Sequence, residues 1–99
     1  MTRLADLARV VRSKNAGPTL LTIDVLFAET AHLDRALAVL SSSRISSLYG
    51  IEADKIRVIP YRSATAIKIV MPRKVIAGDP GDRDVYGAQQ HAPLLGIEV

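Results

Sequence analysis

The chain has 99 residues, which is the size of a single domain, so we treat residues 1–99 as one unit. An apolar content of 48% with 23% charged residues excludes general disorder, and the absence of cysteine excludes disulfides, thiolate metal sites and a cysteine nucleophile. No apolar run reaches the roughly 18 residues of a membrane span, and no signal peptide opens the chain, so we expect a cytoplasmic protein that binds no membrane.

The net charge of +3 is unevenly distributed along the chain. Residues 57–76 contain five cationic side chains and no carboxylate, whereas residues 77–99 contain four carboxylates and one arginine. Such segregation indicates complementary surfaces, within the chain or across an interface with another protein. RNA binding on a sheet surface is the alternative, but the four aromatic residues form no cluster typical of RNA-binding sheets, so we expect no nucleic-acid partner.

The first 27 residues show a helical, a loop and a strand pattern in turn. Apolar residues recur at helical spacing between Leu4 and Val11 and predict one or two short amphipathic helical turns there. The segment Arg12–Pro18 (RSKNAGP) combines asparagine, glycine and proline, which is typical of a loop. Thr19–Phe27 predicts a strand that is apolar on one face and mixed on the other, which suits a central place in a sheet covered on one side.

The middle of the chain predicts helices followed by a hairpin. Thr30 is the expected N-cap of a helix running to about Ser42, and a second helical turn should stop at Gly50. Two further strands, 56–62 and 66–71, are joined by three residues and predict an antiparallel hairpin. Pro60 cannot donate a hydrogen bond to a neighbouring strand, so its strand should lie at an edge of the sheet.

A polar loop over 78–84, a helical turn over 85–91 capped by Asp84 and a short strand over 94–99 complete the predicted elements. The resulting order is that of the ferredoxin-like split βαβ fold, an α+β sandwich with a four-stranded antiparallel sheet and helices on one face. In that fold the first and third strands are central, which agrees with their lack of proline. An α+β meander of another order is the alternative.

The segment Arg12–Pro18 is the first candidate site. Arg12, Ser13, Lys14 and Asn15 offer cationic, hydroxyl and amide groups beside a glycine, and such a cluster can hold a carboxylate or phosphate. The P-loop spacing is absent. A solvated turn preceding a strand is the alternative interpretation.

The segment 78–94 (GDPGDRDVYGAQQHAPL) is the second candidate site. His91 and Asp84 are candidate catalytic groups, because histidine exchanges protons near neutral pH, and Tyr86 and Gln90 are candidate substrate contacts. Asp79, Asp82, Asp84 and His91 together suggest a cation site, but their spacing matches no known metal loop, and Asx turns and a helix cap explain the aspartates without a metal. We therefore predict no metal, and the residues indicate no particular cofactor.

Together the two segments resemble a family of small bacterial proteins whose genes accompany one for a larger acyclic-terpene-utilisation (AtuA-like) protein. In related longer proteins, a similar domain is fused behind the large one and is called the AtuA-like ferredoxin-fold domain. The fused relatives carry a turn similar to RSGDKG where this chain has RSKNAG, so Arg12 and Ser13 match while Lys14 and Asn15 depart from the pattern.

This resemblance implies a ferredoxin-like small subunit of a catabolic enzyme with a large AtuA-like partner. It also implies hydratase or lyase chemistry on a branched carboxylic acid or its CoA thioester, by analogy. A stand-alone small-metabolite-binding or regulatory module is the alternative. An exposed sheet edge and a small core also favour a homo-oligomer.

Overall fold

The computed structural model describes residues 2–73 and 92–99, which contain four strands and three α-helices joined by short 3₁₀ helices. The predicted loop over 78–84 and helical turn over 85–91 lie outside the described residues. The elements are α1 (Leu4–Leu7), β1 (Val10–Asn15), β2 (Leu20–Leu26), α2 (Thr30–Leu37), α3 (Ser42–Tyr49), β3 (Arg57–Tyr61) and β4 (Ala66–Pro72).

The four strands form one antiparallel sheet in the order β1-β2-β4-β3. This sheet with its helices confirms the α+β class and is compatible with a ferredoxin-like fold. The strands β2 and β4 are central and β3 is at an edge, as the sequence predicts. Pro60 lies in β3 opposite Ile67, where the other side of the strand has no neighbour to receive an N–H.

The core lies between one face of the sheet and the helices. Alternate residues of the central strands are buried, as a sheet covered on one side requires. The helices, the connecting segments and both ends of the described chain supply the remaining buried apolar side chains, among them Leu4, Leu33, Ala36, Ile45 and Leu94. None of the helices within 2–73 and 92–99 is long and apolar enough to cross a bilayer.

The expected C-terminal strand over 94–99 is wrong. Ala92–Leu94 forms a 3₁₀ helix, and Glu98 makes only an isolated bridge to Arg3. Leu94 and Ile97 are both buried three positions apart, and the Ile97 amide donates to the Leu94 carbonyl at 3.1 Å. Burial of residues three positions apart is typical of a helical turn and not of a strand. The position beside β2 at the edge of the sheet is therefore occupied by β1.

The helical turn expected from Leu4 is present as α1, but the loop expected over 12–18 is partly wrong. The helix α1 ends at Leu7, and the segment that we expected to begin the loop is the second half of β1. Only residues 16–19 form the turn of a β1–β2 hairpin, in which the Ala16 amide donates to the Leu20 carbonyl at 2.9 Å. Gly17 has φ +97°, a conformation that favours glycine.

The helical region 30–50 contains two helices where the sequence predicted one helix and a further turn. The first begins after Glu29, which is its N-cap in place of Thr30, and ends at Leu37. Ser41 caps the second by accepting from the Arg44 amide at 3.1 Å, because serine oxygens compete for the free N–H groups of a new helix start. Gly50 ends α3 in the left-handed conformation, as predicted.

Candidate functional site

The candidate residues at positions 12–15 lie on opposite faces of the sheet. Arg12 pairs in register with Asp24 and Lys14 with Thr22, on the face that the helices leave uncovered. Ser13 and Asn15 pair with buried residues of β2 and point toward the core side. The alternation of a strand therefore prevents the four side chains from forming one anion-binding cluster.

Ser13 and Asn15 are placed for structural contacts. Ser13 is buried, with 7% of its surface exposed. Asn15 is half-buried, and its Oδ1 accepts a hydrogen bond of 2.8 Å from Nη1 of Arg73 at the end of β4. The Arg73 amide in turn donates to the Thr19 carbonyl at 2.9 Å. These two hydrogen bonds connect the β1–β2 turn to Arg73, which directly follows β4.

The uncovered side of the sheet, which we call the outer face, combines cationic and apolar side chains. Its charged members in the described chain are Arg12, Lys14, Asp24, Arg57 and Lys68. Three of the four large apolar side chains that are exposed in the described residues also lie there, namely Val10, Leu20 and Tyr61. A sheet face that meets only water is normally polar, so this composition is typical of a surface that binds something.

A groove of about 290 Å³ crosses the outer face between the edge strands. Arg12, Asp24 and Lys68 stand side by side across three neighbouring strands and supply its charges. Its apolar surface comes from Leu26 and Tyr61, together with the small side chains of Ala64 and Ala66. The groove therefore presents ionic groups next to an apolar floor.

The three charges of the groove are not equivalent. Asp24 Oδ2 lies 3.8 Å from Nε of Arg12, and only 17% of the Asp24 side chain is exposed against 67% for Arg12. The Lys68 ammonium lies 5.7 Å from the centre of the Tyr61 ring, a cation–π distance. No carboxylate of the described chain pairs with Lys68. Arg12 and Asp24 neutralise each other, and Lys68 carries the remaining charge.

The candidate residues of the second segment, Asp84, Tyr86, Gln90 and His91, lie outside the described residues, as do Asp79 and Asp82 of the weighed cation site. The structure thus locates one half of the predicted site. Among the described residues, burial raises the pKa of the Tyr49 phenol, but Tyr49 packs against the core and lies away from the groove.

Sequence reasoning missed Asp24, Lys68 and Tyr61 as neighbours of Arg12 in the groove. Asp24 had a signal, because it is the only charged residue in a strand whose other face is apolar. Lys68 and Tyr61 had no such signal, since their approach to Arg12 depends on the register of four strands. A single sequence does not state that register.

The sequence profile of one protein family, described as "Domain of unknown function (DUF4387)", matches residues 4–98. No curated protein and no solved structure matches the chain significantly.

Proposed function

The chain belongs to the DUF4387 family, and from the resemblance of its two polar segments to AtuA-associated proteins we propose that it is the small subunit of a heteromeric catabolic enzyme. In this proposal the partner is a large AtuA-like subunit in the cytoplasm. The complex carries out hydratase- or lyase-type chemistry on a branched carboxylic acid or its CoA thioester. The small subunit contributes anion-binding and interface residues to a shared site.

The observation that supports this proposal is the outer face. A monomer that exposes Val10, Leu20 and Tyr61 on one sheet surface gains hydrophobic free energy when another chain covers them, at about 25 cal/mol per Å² of apolar area. The groove on the same face is open on one side. A second chain would supply the missing wall, as expected of a site shared between subunits.

The proposed roles follow the sequence segments. Arg12 contributes to binding the anionic group of the substrate on the outer face, where 67% of its side chain is exposed. His91 and Asp84 are the proposed acid–base pair, with Tyr86 and Gln90 as substrate contacts. Lys14 lies on the same face as Arg12 and is assigned to the interface, whereas Ser13 and Asn15 hold β1 in place.

The test is recovery of the tagged full chain from its native host. We expect one large AtuA-like chain to co-purify in a fixed ratio, measured by native mass spectrometry. The variant Leu20→Lys places a charge on the outer face and should abolish recovery of the large chain. Leu48→Lys is the matched control, because Leu48 is equally exposed (40% against 41%) but lies on α3, away from that face.

Two results would count against this proposal. Wild-type protein that brings down no large chain removes the need for a partner. Equal loss of the large chain in the two leucine variants would place the interface elsewhere than the outer face.

The groove also favours a second candidate, a stand-alone module that binds or senses a small metabolite. This candidate predicts that the chain is recovered alone from its host. It also predicts that a carboxylic acid or an acyl-CoA thioester raises the melting temperature of the isolated chain. Recovery of the large chain would decide in favour of the small-subunit proposal.

A further inference from the structure

We propose that the groove on the outer face binds small monocarboxylic acids in their free form, with Lys68 as the principal partner of the carboxylate. The claim that such an acid is the enzyme's substrate rests on the proposed function. The claim that the groove binds such an acid concerns the isolated chain and does not need a partner. It adds Lys68, Asp24 and Tyr61 to the site and selects the free acid over the CoA thioester at this position.

The charges of the groove match a single negative charge. Arg12 and Asp24 form an ion pair, so one positive charge, that of Lys68, remains unbalanced among the groove residues. The ring of Tyr61 holds the ammonium without neutralising it. A carboxylate beside Lys68 would complete the charge balance, and the exposed end of the Arg12 guanidinium is free of the Asp24 contact, which is made through Nε.

Asp24 makes the site selective for one charge. Its carboxylate stands between the two cations in the register of the sheet and is mostly shielded from water. A ligand with a second negative charge would meet this fixed carboxylate, since like charges at short range repel. Dicarboxylates and phosphates should therefore gain little from the second cation.

The volume of the groove indicates how much of a ligand the groove itself can hold. A volume of about 290 Å³ is close to the lower bound of small-molecule sites, roughly 300–1,000 Å³. Water takes about 30 Å³ per molecule in the liquid, so the groove accommodates roughly ten non-hydrogen atoms. A medium-length carboxylic acid has this size, whereas the nucleotide of coenzyme A is several times larger and carries several phosphate charges.

The apolar floor provides for the remainder of such an acid. Leu26 lies directly opposite Ala66 on the neighbouring strand, and both are half-buried. The small side chains of Ala64 and Ala66 leave room above the sheet for an alkyl chain. An acid with its carboxylate at Lys68 can lay its tail along this strip, which combines one ion pair with apolar contact.

The experiment is an NMR titration of the full chain, using amide shifts and hexanoate as the probe. We expect saturable shifts at the groove residues of β2 and β4. Hexanamide, the neutral isostere, and adipate, the dianion, should each bind about fivefold more weakly than hexanoate, as expected for one solvent-accessible ion pair. Coenzyme A should cause no saturable shift in the groove.

Matched lysine variants assign the carboxylate partner. Lys68→Met should weaken hexanoate binding about fivefold, and Lys68→Arg should restore most of it. Lys14→Met removes a cation from the same face but outside the groove, so it should leave hexanoate binding unchanged. The dispersion of the amide spectrum shows that each variant is folded.

Several results would overturn the proposal. Equal binding of hexanamide and hexanoate would show an apolar site without charge recognition. Equal losses in the two lysine-to-methionine variants would show a diffuse electrostatic attraction. Saturable binding of coenzyme A in the groove, or no hexanoate shift there, would contradict the size and charge argument. The titration needs no second chain, so its failure is distinguishable from failure to recover a large subunit.

Discussion

Replacing Gly17 by alanine should destabilise the protein through the backbone alone. Gly17 has φ +97° in the β1–β2 turn, and a Cβ built there meets no heavy atom within 4 Å. Because no clash adds to it, the cost is that of holding an L-residue at positive φ, about 1–2 kcal/mol. For a domain of this size each kcal/mol corresponds to about 4–8 °C, so we expect the melting temperature to fall by about 5–15 °C.

Gly96→Ala is the matched control for this substitution. A Cβ at Gly96 also meets nothing within 4 Å, but its φ is not positive. Alanine there restricts the unfolded chain without straining the folded one, so stability should rise by about 0.4–1 kcal/mol or stay unchanged. Circular dichroism melts at 222 nm measure both variants. If the two alanine variants melt at the same temperature, backbone conformation does not hold the turn and the reasoning is wrong.

Two further predictions concern the core. Burial raises the pKa of Tyr49 above its usual value of 10.0, so above pH 10 the unfolded chain loses this proton before the folded one, and the free energy of unfolding should fall. Urea titrations from pH 9 to 11 should show a smaller fall for Tyr49→Phe than for the wild type. Ile69→Ala should cost about 2–5 kcal/mol and Val70→Ala, on the outer face, about 1 kcal/mol or less, and equal urea midpoints would contradict this.

The fold was predictable where local pattern and burial agree. The strands β2 and β4 alternate apolar residues toward the core, and Pro60 identified β3 as an edge. The strand β1 was not predicted because its second half is polar, and an edge strand needs to bury few apolar side chains. What makes it a strand is hairpin pairing with β2 across a turn that Gly17 permits, and the polar side chains of its second half give no sign of that pairing.

The candidate site was predictable only in part for the same reason. Arg12 was predicted to be an anion ligand from its neighbours in the chain, but three of those neighbours play other roles or lie outside the groove. Its actual neighbours, Asp24 and Lys68, come from two other strands. Residues that are neighbours in sequence can bring their side chains together when they lie on a loop. On a strand, successive side chains point to opposite faces of the sheet, so the same residues are separated.

The structure also changes the interpretation of the uneven charge distribution along the sequence. Of the cations in the basic segment, Arg62 pairs with Asp34 of α2 at 2.6 Å, and Arg73 binds Asn15. These two hold the hairpins to the rest of the chain. Lys68 and Arg57 remain on the outer face, where β1 adds further cations. Among the described residues, the cations that a partner or ligand would meet on this face therefore come from three strands, and half of them lie on β1, the strand that the sequence pattern did not predict.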